Sequence, residues 1–252
     1  MKKFMALLLV AGMTLSLTAC GGSTDTAKTD QADGKDTFTV GFDQDFPPFG
    51  YVGDDGEFTG FDIEMATECA ARMGKKIVLE PIDWDAKDME LEAGTIDCIW
   101  NGFTMNGRED QYTWTDPYMD NSQVVVVKKD SGINTLADLA GKVVEVQKES
   151  AAETALNDEE HADLMASFAQ LLSVGEYNTA FMDLESGAVD AVAIDIGVAQ
   201  FQIEGKEDQY QILDETISSE QYAVGFFLGN TALRDEVQST LLELSLIHIS
   251  EP

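Results

Sequence analysis

The sequence predicts an α/β fold in which a mainly parallel sheet is covered on both faces. Hydrophobic residues make up 44% of the 252 residues, enough to bury the cores of one large or two modest domains. Strand patterns alternate with helix patterns along the chain. One strand pattern, residues 124–127, consists of four valines without interruption. Such continuous apolar runs are typical of strands that are buried on both faces of a parallel sheet.

The first half of the chain alternates strand and helix patterns. Apolar residues at helical spacing predict its clearest helix, which stops before Gly74, and Gly94 closes a second, shorter one. Two prolines interrupt strand pairing in an aromatic Phe-Pro-Pro-Phe loop. In order, we expect a strand at 38–42, the aromatic loop at 46–49, a helix at 61–73, a strand at 77–79, a helix at 85–93 and a strand at 96–100.

The second half continues the alternation and closes with an amphipathic helix over residues 233–244. Its apolar positions 233, 237, 241 and 244 share one face. Before it we expect the apolar strand at 124–127, a short element at 136–139, a strand at 143–146, a helix at 150–156 and a strand at 191–194.

Composition and charge exclude several classes of function. The formal net charge of −32 repels a phosphate backbone, so the protein is not expected to bind nucleic acid. Two histidines and three cysteines, without CxxC or HExxH spacing, indicate no metal site, no cofactor and no obvious catalytic residue. Cys69 and Cys98 lie within apolar patterns, which predicts buried free thiols, with a disulfide as the alternative.

The amino terminus has the layout of a bacterial export signal. Two lysines precede an apolar stretch that is too short to span a bilayer, and small residues precede Cys20. Residues 17–20, Leu-Thr-Ala-Cys, resemble the bacterial lipobox, which implies cleavage after residue 19 and diacylation of Cys20. An ordinary signal peptide or an uncleaved membrane anchor is the alternative. Residues 20–36 then form a lipid-anchored flexible tether, because residues 21–36 contain no large apolar side chain.

Chemically useful side chains follow four of the expected strands. Ligands collect at the carboxyl ends of strands in parallel α/β sheets, so these residues are expected to lie together. They are Asp43 and Phe46 after the first strand, residues 101–104 and Arg108 after the third, Ser150 after the strand at 143–146, and Asp195 after the strand at 191–194.

Together, three of these residues suit a zwitterion. Arg108 can hold a carboxylate by a planar two-bond fork, and Asp195 can accept bonds from an ammonium group. Ser150 and Glu153 have the spacing of a capping box, which leaves backbone N–H groups free at a helix start. Taken singly, Arg108 fits a surface ion pair, Asp195 a turn or cap, and Ser150 a simple helix cap.

A family resemblance covers most of residues 37–242. Six stretches resemble, in order, the motifs of the extracellular solute-binding proteins of ABC transporters, in the family that binds polar amino acids. They are VGFDQDFPPFGY, GFDIEMA, IDCIWNGFTMNGRED, WTDPY, DLAGKVVEVQKESAAETAL and DLESGAVDAVAID. The resemblance implies a periplasmic binding protein type II fold, with two lobes of mixed, mostly parallel sheets and a two-strand hinge. Lobe 1 would take residues 37–122 and 221–244, and lobe 2 residues 123–220.

The resemblance also implies roles for nine residues. Arg108 would bind the ligand's carboxylate, assisted by backbone N–H groups of Ser150 and Ala151, and Asp195 would bind the α-ammonium group. The other implied ligand-binding residues are Asp43, Phe46, Trp84, Gly102 and Thr104. Two departures from the family pattern bear on these contacts: Glu149 replaces the usual glycine before Ser150, and the segment between Thr104 and Arg108 is one residue short.

The implied function is that of a receptor without catalytic activity. It would capture a polar amino acid between its lobes and deliver it to the permease of an ABC transporter. We expect a monomer that is anchored through Cys20 to the outer face of the bacterial membrane, or in the periplasm where an outer membrane exists. An enzyme of the cyclohexadienyl or arogenate dehydratase type, on the same fold, is the alternative.

Two points stay open at the level of sequence. Acidity favours a cationic ligand, but Phe46, Trp84 and Phe103 would pack equally well on glutamine or cystine. Residues 245–252 resemble no part of the family and look like translated adapter sequence on a truncated chain, with a genuine shorter terminus as the alternative.

Overall fold

A computed structural model describes residues 36–250, and for residues 245–250 it describes the backbone alone. The predicted export signal, Cys20 and the predicted tether up to residue 35 lie outside the described residues, and so do residues 251 and 252.

The described residues form fourteen strands and seven α-helices in an alternating order. The strands are β1 (Thr37–Phe42), β2 (Asp45–Phe46), β3 (Gly50–Val52), β4 (Phe58–Thr59), β5 (Lys76–Pro81), β6 (Cys98–Ile99), β7 (Thr113–Trp114), β8 (Met119–Lys128), β9 (Val143–Gln147), β10 (Gln170–Val174), β11 (Ala191–Asp195), β12 (Tyr210–Ile212), β13 (Ser218–Tyr222) and β14 (Gly225–Phe226). The helices are α1 (Phe61–Arg72), α2 (Lys87–Ala93), α3 (Ala151–Leu156), α4 (Ala162–Ser167), α5 (Tyr177–Ser186), α6 (Ile196–Ile203) and α7 (Thr231–Ser250).

The first main sheet has the strand order β5-β1-β6-β14-β7. Strand β1 pairs in parallel with β5 and β6, whereas β14 pairs antiparallel with β6 and β7. Phe38 and Val40 of β1 pack with Cys69 of α1 and Val237 of α7 in one core. Cys69 and Cys98 are buried free thiols, which confirms the prediction.

The second main sheet has the order β10-β9-β11-β8-β12, with β13 also paired to β8. The valine run divides between its two faces: Val124 and Val126 pack in one core, and Val125 and Val127 in another. Successive side chains of a strand point to opposite faces, so an uninterrupted apolar run requires both faces to be covered. This sheet confirms that the fold is α/β with mixed sheets. A third, small sheet has the order β2-β3-β4.

Strands β8 and β13 cross between the two main sheets. They pair antiparallel from Met119–Tyr222 to Gln123–Ser218, and β8 then continues into the centre of the second sheet. Strand β8 begins five residues before the predicted 124–127 run. This added part contains the polar residues Asn121 and Gln123, and both are buried because their side-chain amides hydrogen-bond to buried carboxylates. The lobe boundaries proposed from the sequence stay a prediction.

Most sequence-predicted elements occur where expected, with local differences in length. Residues 84–86, at the start of the helix expected over 85–93, form a 3₁₀ turn before α2, and Gly94 ends α2 with φ 72°. The element at 136–139 is also a 3₁₀ turn, and β6 is only two residues long. Helix α7 contains the predicted 233–244 segment. Within the described range, no helix has the length and apolarity to cross a bilayer.

Candidate ligand-binding site

A cavity lies between loops of the two main sheets and contains about 280 Å³ of empty space, part of it open to solvent. Eight of the nine residues predicted from the sequence border it, and two others, Asn101 and Gln147, join them. The lining residues are Phe46, Trp84, Asn101, Gly102, Thr104, Arg108, Gln147, Ser150, Ala151 and Asp195. The carboxyl ends of β1, β6, β9 and β11 thus meet at one place, as expected for α/β sheets.

Asp43 is the predicted residue that does not border the cavity. It lies behind Gln147, whose Nε2 donates to Asp43 Oδ2 at 2.6 Å, and the backbone N–H of Asp45 donates to Oδ1 at 2.8 Å. Burial raises the pKa of the Asp43 carboxyl to about 6 despite these bonds. Asp43 therefore orients Gln147, and it is Gln147 that faces the cavity.

Arg108 brings a positive charge to the cavity without a carboxylate partner. Its Nη1 donates to the carbonyl of Thr104 and its Nη2 to the carbonyl of Glu149, each at 3.2 Å, and its guanidinium carbon lies 5.6 Å from the Phe103 ring centroid. Among the described residues, no carboxylate oxygen lies within 4.0 Å of it. These two carbonyls belong to the loops after β6 of the first sheet and β9 of the second. They orient the guanidinium and leave its charge available to an anion.

Asp195 presents a buried carboxylate to the same cavity. Its Oδ1 accepts from Asn121 Nδ2 at 2.7 Å, from Gln123 Nε2 at 2.7 Å and from the Tyr222 hydroxyl at 2.6 Å. Burial, followed by the charge of Glu220, raises the pKa of Asp195 to about 7. A cationic group entering the cavity would reverse that effect, because it stabilises the ionised form.

Aromatic side chains form the walls of the cavity. Phe46 packs against Phe49 and Tyr177, with ring centroids 5.7 and 6.1 Å away, in the core that also contains Val124 and Val126. Trp84 meets Phe103 edge to face at 5.5 Å and is 9% exposed. Trp84 is thus both a member of a buried aromatic cluster and part of the cavity wall.

Gly102 makes the turn at which the chain leaves β6 and enters the site. Its φ is 56°, and a Cβ at this position would approach Phe46 to 2.9 Å and Tyr222 to 3.0 Å. The buried Asp62 carboxylate holds this turn by accepting the Gly102 N–H at 2.5 Å. Only glycine combines this backbone conformation with such close aromatic neighbours.

The loop before α3 differs in detail from the predicted capping box. The Ser150 hydroxyl accepts the Glu153 N–H at 3.1 Å, as expected, but Glu153 Oε2 accepts from the Glu149 N–H at 2.6 Å. The Ser150 N–H donates to the carbonyl of Gln147 at 3.2 Å. Of the two predicted N–H donors, the amide of Ala151 alone has no partner within the described part of the chain.

Glu149, which stands where the family usually has glycine, adopts φ 57° and reaches across the cleft. Its Oε2 lies 2.9 Å from Nζ of Lys87, a lysine side chain that is only 3% exposed. The ammonium group of Lys87 also lies 5.4 Å from the Trp84 ring centroid. An ion pair beside the cavity therefore joins α2, which packs on the first sheet, to the loop after β9 of the second.

We expect Glu149→Gln to destabilise the protein by about 1–3 kcal/mol, because it leaves the buried Lys87 ammonium without its anion. Lys87→Met should cost less, since the Glu149 carboxylate is 45% exposed and can be hydrated. Urea denaturation measures both. The exposed bridge between Lys148 and Asp85, with its atoms 2.6 Å apart, is the control: Lys148→Gln should change stability by less than about 1 kcal/mol. An equal cost for all three variants would refute this asymmetry.

Sequence reasoning did not assign functional roles to Gln147, Lys87 and Glu220. Gln147 is the last residue of β9, and a polar residue at that strand end was a usable signal. Lys87 lies in the helix expected over 85–93, and the local sequence does not show that its ammonium group is buried. Glu220 carried no signal, because nothing local shows that a glutamate in a short strand is buried beside a second carboxylate.

Known proteins are similar to this chain in sequence and in fold over most of their length. The L-cystine-binding protein TcyJ of Escherichia coli is 29% identical over 243 residues, which cover 95% of this chain and 87% of that protein. The arginine-binding extracellular protein ArtP of Bacillus subtilis is 28% identical over 247 residues, which cover 97% and 93%. A substrate-binding protein of an ABC uptake transporter from Streptococcus pneumoniae, solved with bound histidine, superposes with a TM-score of 0.79 at 32% identity, covering 83% and 87%.

The motifs of the sequence, the order of the strands and these relatives agree with one another. The family model described as bacterial extracellular solute-binding proteins, family 3, matches residues 38–246. The described part of the chain has the α/β architecture with mixed sheets of its structural relatives, the periplasmic binding proteins of type II. This chain therefore belongs to the bacterial extracellular solute-binding proteins of family 3.

Proposed function

We propose that the protein is a lipid-anchored receptor that captures a polar amino acid and delivers it, chemically unchanged, to the permease of an ABC transporter. The observation that carries this proposal is that Arg108 and Asp195 border the same cavity. Among the described residues, the Arg108 guanidinium has no anionic partner and the buried Asp195 carboxylate has no cationic one, and the two groups are complementary to an α-carboxylate and an α-ammonium group.

Each lining group has a role in this proposal. The Arg108 fork and the Ala151 N–H bind the ligand's carboxylate. Asp195 accepts from its ammonium group. Phe46 and Trp84 pack on the side chain, and Gln147, oriented by Asp43, offers a polar contact to it. The relatives named for cystine, arginine and histidine support a polar side chain without selecting one.

Closure of the cleft is part of the same proposal. Residues 37–122 with 221–244 would move as one lobe and residues 123–220 as the other, about the crossing strands β8 and β13. Arg108 lies on the loop after β6 of the first sheet and Asp195 ends β11 of the second, so a bound zwitterion stabilises the arrangement in which these two segments are close. The Lys87–Glu149 ion pair acts in the same direction.

A thermal-shift screen tests the proposed ligand class. The twenty amino acids and L-cystine are each added to the purified protein, and a ligand present at 100 times its Kd should add about 2.7 kcal/mol of stability. We expect one or a few polar amino acids to raise Tm, to quench or enhance tryptophan fluorescence through Trp84, and to be recovered unchanged after incubation. A protein that none of them stabilises would not be an amino acid receptor, and recovery of a dehydrated product would indicate an enzyme.

Anchoring through Cys20 gives a separate prediction. Cys20→Ser should release the protein from the membrane, because its net charge of −32 disfavours adsorption to anionic lipid. Fractionation of cells fed a labelled fatty acid measures both the location and the acylation of the protein. Ser23→Ala, in the tether, is the matched control and should stay labelled and membrane-bound. Membrane retention of Cys20→Ser would show that something other than the acyl chains holds the protein.

A further inference from the structure

Two buried carboxylates share their hydrogen-bond donors beside the cavity. Asp195, at the end of β11, and Glu220, in β13, are 3% and 7% exposed. Asn121 Nδ2 and Gln123 Nε2, both from β8, each donate to Asp195 Oδ1 and to Glu220 Oε1, and all four distances are 2.7 Å. The two acceptor oxygens are therefore no farther apart than twice that distance.

Neutral groups alone surround this pair within the described residues. No lysine, arginine or histidine lies within 4.0 Å of either carboxylate. Gln123 Nε2 donates to both acids, although Gln123 Oε1 is buried and has no hydrogen-bond partner among the described residues. If the Gln123 side-chain amide were rotated by 180°, its oxygen Oε1 would face the oxygens of both carboxylates and repel them. The two acids therefore determine the orientation of the Gln123 amide. Two buried like charges without a cation cannot both stay ionised at low cost.

Glu220 also reaches the cavity through Thr104. The Thr104 hydroxyl, on the cavity lining, donates its hydrogen to Glu220 Oε1 at 2.8 Å. A hydroxyl has one hydrogen, so towards a ligand Thr104 can only accept. Asp195, when ionised, can also only accept. Together they suit an ammonium group, which carries only donors.

We propose that Glu220 is a positioning residue of the amino acid site: with Asp195 it forms a buried acid pair that is partly protonated while the cavity is empty and gives up its proton to solvent when an α-ammonium group enters. This inference rests on the proposed function. The ammonium keeps its three hydrogens, one carboxylic acid ionises to a carboxylate, and one proton leaves. Glu220 acts by placing the second negative charge and by fixing the Thr104 hydroxyl as an acceptor.

The other titratable groups that face the pair are not the source of the released proton. Tyr222 of β13 and Tyr177 of α5 are buried, which raises both hydroxyl pKa values well above their usual range, so both stay neutral. Arg108 borders the same cavity and presents its positive charge to it. Asp43, behind Gln147, has its pKa raised by burial to about 6 and is mostly ionised at pH 7. Burial, followed by the charge of Glu220, raises the pKa of Asp195 to about 7, so this carboxyl is partly protonated there.

Calorimetry measures the released proton directly. The probe is L-arginine, or the amino acid of highest affinity in the screen if that is another one. Binding enthalpies are compared in phosphate and Tris buffers, whose own ionisation enthalpies differ. We expect about half a proton released at pH 7, close to none at pH 8.5, and an affinity about tenfold lower at pH 6 than at pH 8.

The variant that assigns this proton to the pair is Glu220→Gln. Its Oε1 can accept the same bonds, but it removes the second charge while burial stays, so Asp195 should be ionised in a larger share of the molecules before binding. We expect proton release at pH 7 to be clearly smaller than in the wild type, the affinity at pH 8 to drop several-fold and the pH profile to flatten. Asp120→Asn, an exposed acid on β8, should behave like the wild type.

The outcomes separate this inference from the proposed function. A wild type that binds an amino acid without releasing a proton at pH 7 refutes the acid pair and leaves the receptor function intact. A Glu220→Gln protein with wild-type affinity and proton release refutes the role of Glu220. If no amino acid binds at all, the function itself fails. The wild-type measurement decides the proton exchange even if the variant does not fold.

Discussion

Arg108→Ala is expected to abolish tight amino acid binding while the protein stays folded. Among the described residues that line the cavity, Arg108 is the one cation, so its removal would leave the ligand's carboxylate without a counter-charge in a closed site. Losing one partner of such a pair costs roughly 2–5 kcal/mol, which corresponds to about a thirty-fold to several-thousand-fold rise in Kd. The effect on stability should be small, because Arg108 donates its side-chain bonds to loop carbonyls rather than to buried acids.

Titration calorimetry with the amino acid found in the screen measures this loss. Arg108→Lys is the informative second variant: it keeps the charge but not the planar fork, so an intermediate affinity is expected. Arg72→Ala serves as control, since Arg72 lies exposed on α1 beside Glu68 and should leave Kd unchanged. Near wild-type affinity in Arg108→Ala would remove this residue from the site.

The ligand-free protein is expected to become less stable as the pH rises from about 4.5 to 8. Burial raises the pKa of Asp43 to about 6 and those of Asp62 and Asp195 to about 7. Between the unfolded value near 4 and these folded values, the native state binds more protons than the unfolded state, so the free energy of unfolding falls with rising pH. With about 1.4 kcal/mol per pKa unit, we expect a loss of at least about 3 kcal/mol.

Other acids act in a different pH range. A hydrogen bond from Lys148 lowers the pKa of Asp85, and the backbone N–H of Asn134 lowers that of Asp138. A lowered pKa stabilises the fold above the unfolded value, and that contribution is lost only as the pH falls below about 4. These exposed groups therefore do not offset the loss between pH 4.5 and 8, and the two effects together place the most stable pH near 4 to 5.

Urea denaturation at several pH values, without amino acids, tests this dependence. Asp62→Asn should flatten the profile and raise stability at pH 8, because an amide oxygen can still accept from the Gly102 N–H and the Tyr118 hydroxyl without carrying a charge. Glu80→Gln, a change at an exposed acid, should leave the slope unaltered. A stability that stays constant or increases from pH 5 to pH 8 would show that the buried acids do not govern it.

The elements that the sequence predicted well share one property: their burial leaves a local pattern. The four valines at 124–127 had to be a strand covered on both faces, and the spacing of apolar residues in α1 had to be helical. The strand ends also brought Arg108 and Asp195 to one cavity as expected, since the carboxyl ends of strands converge in this class of fold. Periodicity and chain direction are properties of the sequence itself.

Contacts between distant polar residues were beyond the reach of sequence patterns. Asp43 was expected at the cavity but lies behind Gln147, which is 104 residues away. Asn121, Gln123 and Glu220 gave no sign of burial, since a polar residue is buried only where a partner from another strand satisfies its hydrogen bonds. Sequence by itself determined the fold class and the family, and it predicted the two charged residues that border the cavity. Only the tertiary structure decided which buried polar groups meet. Their hydrogen bonds join segments that are far apart in the sequence, and no local sequence pattern shows that such segments come together.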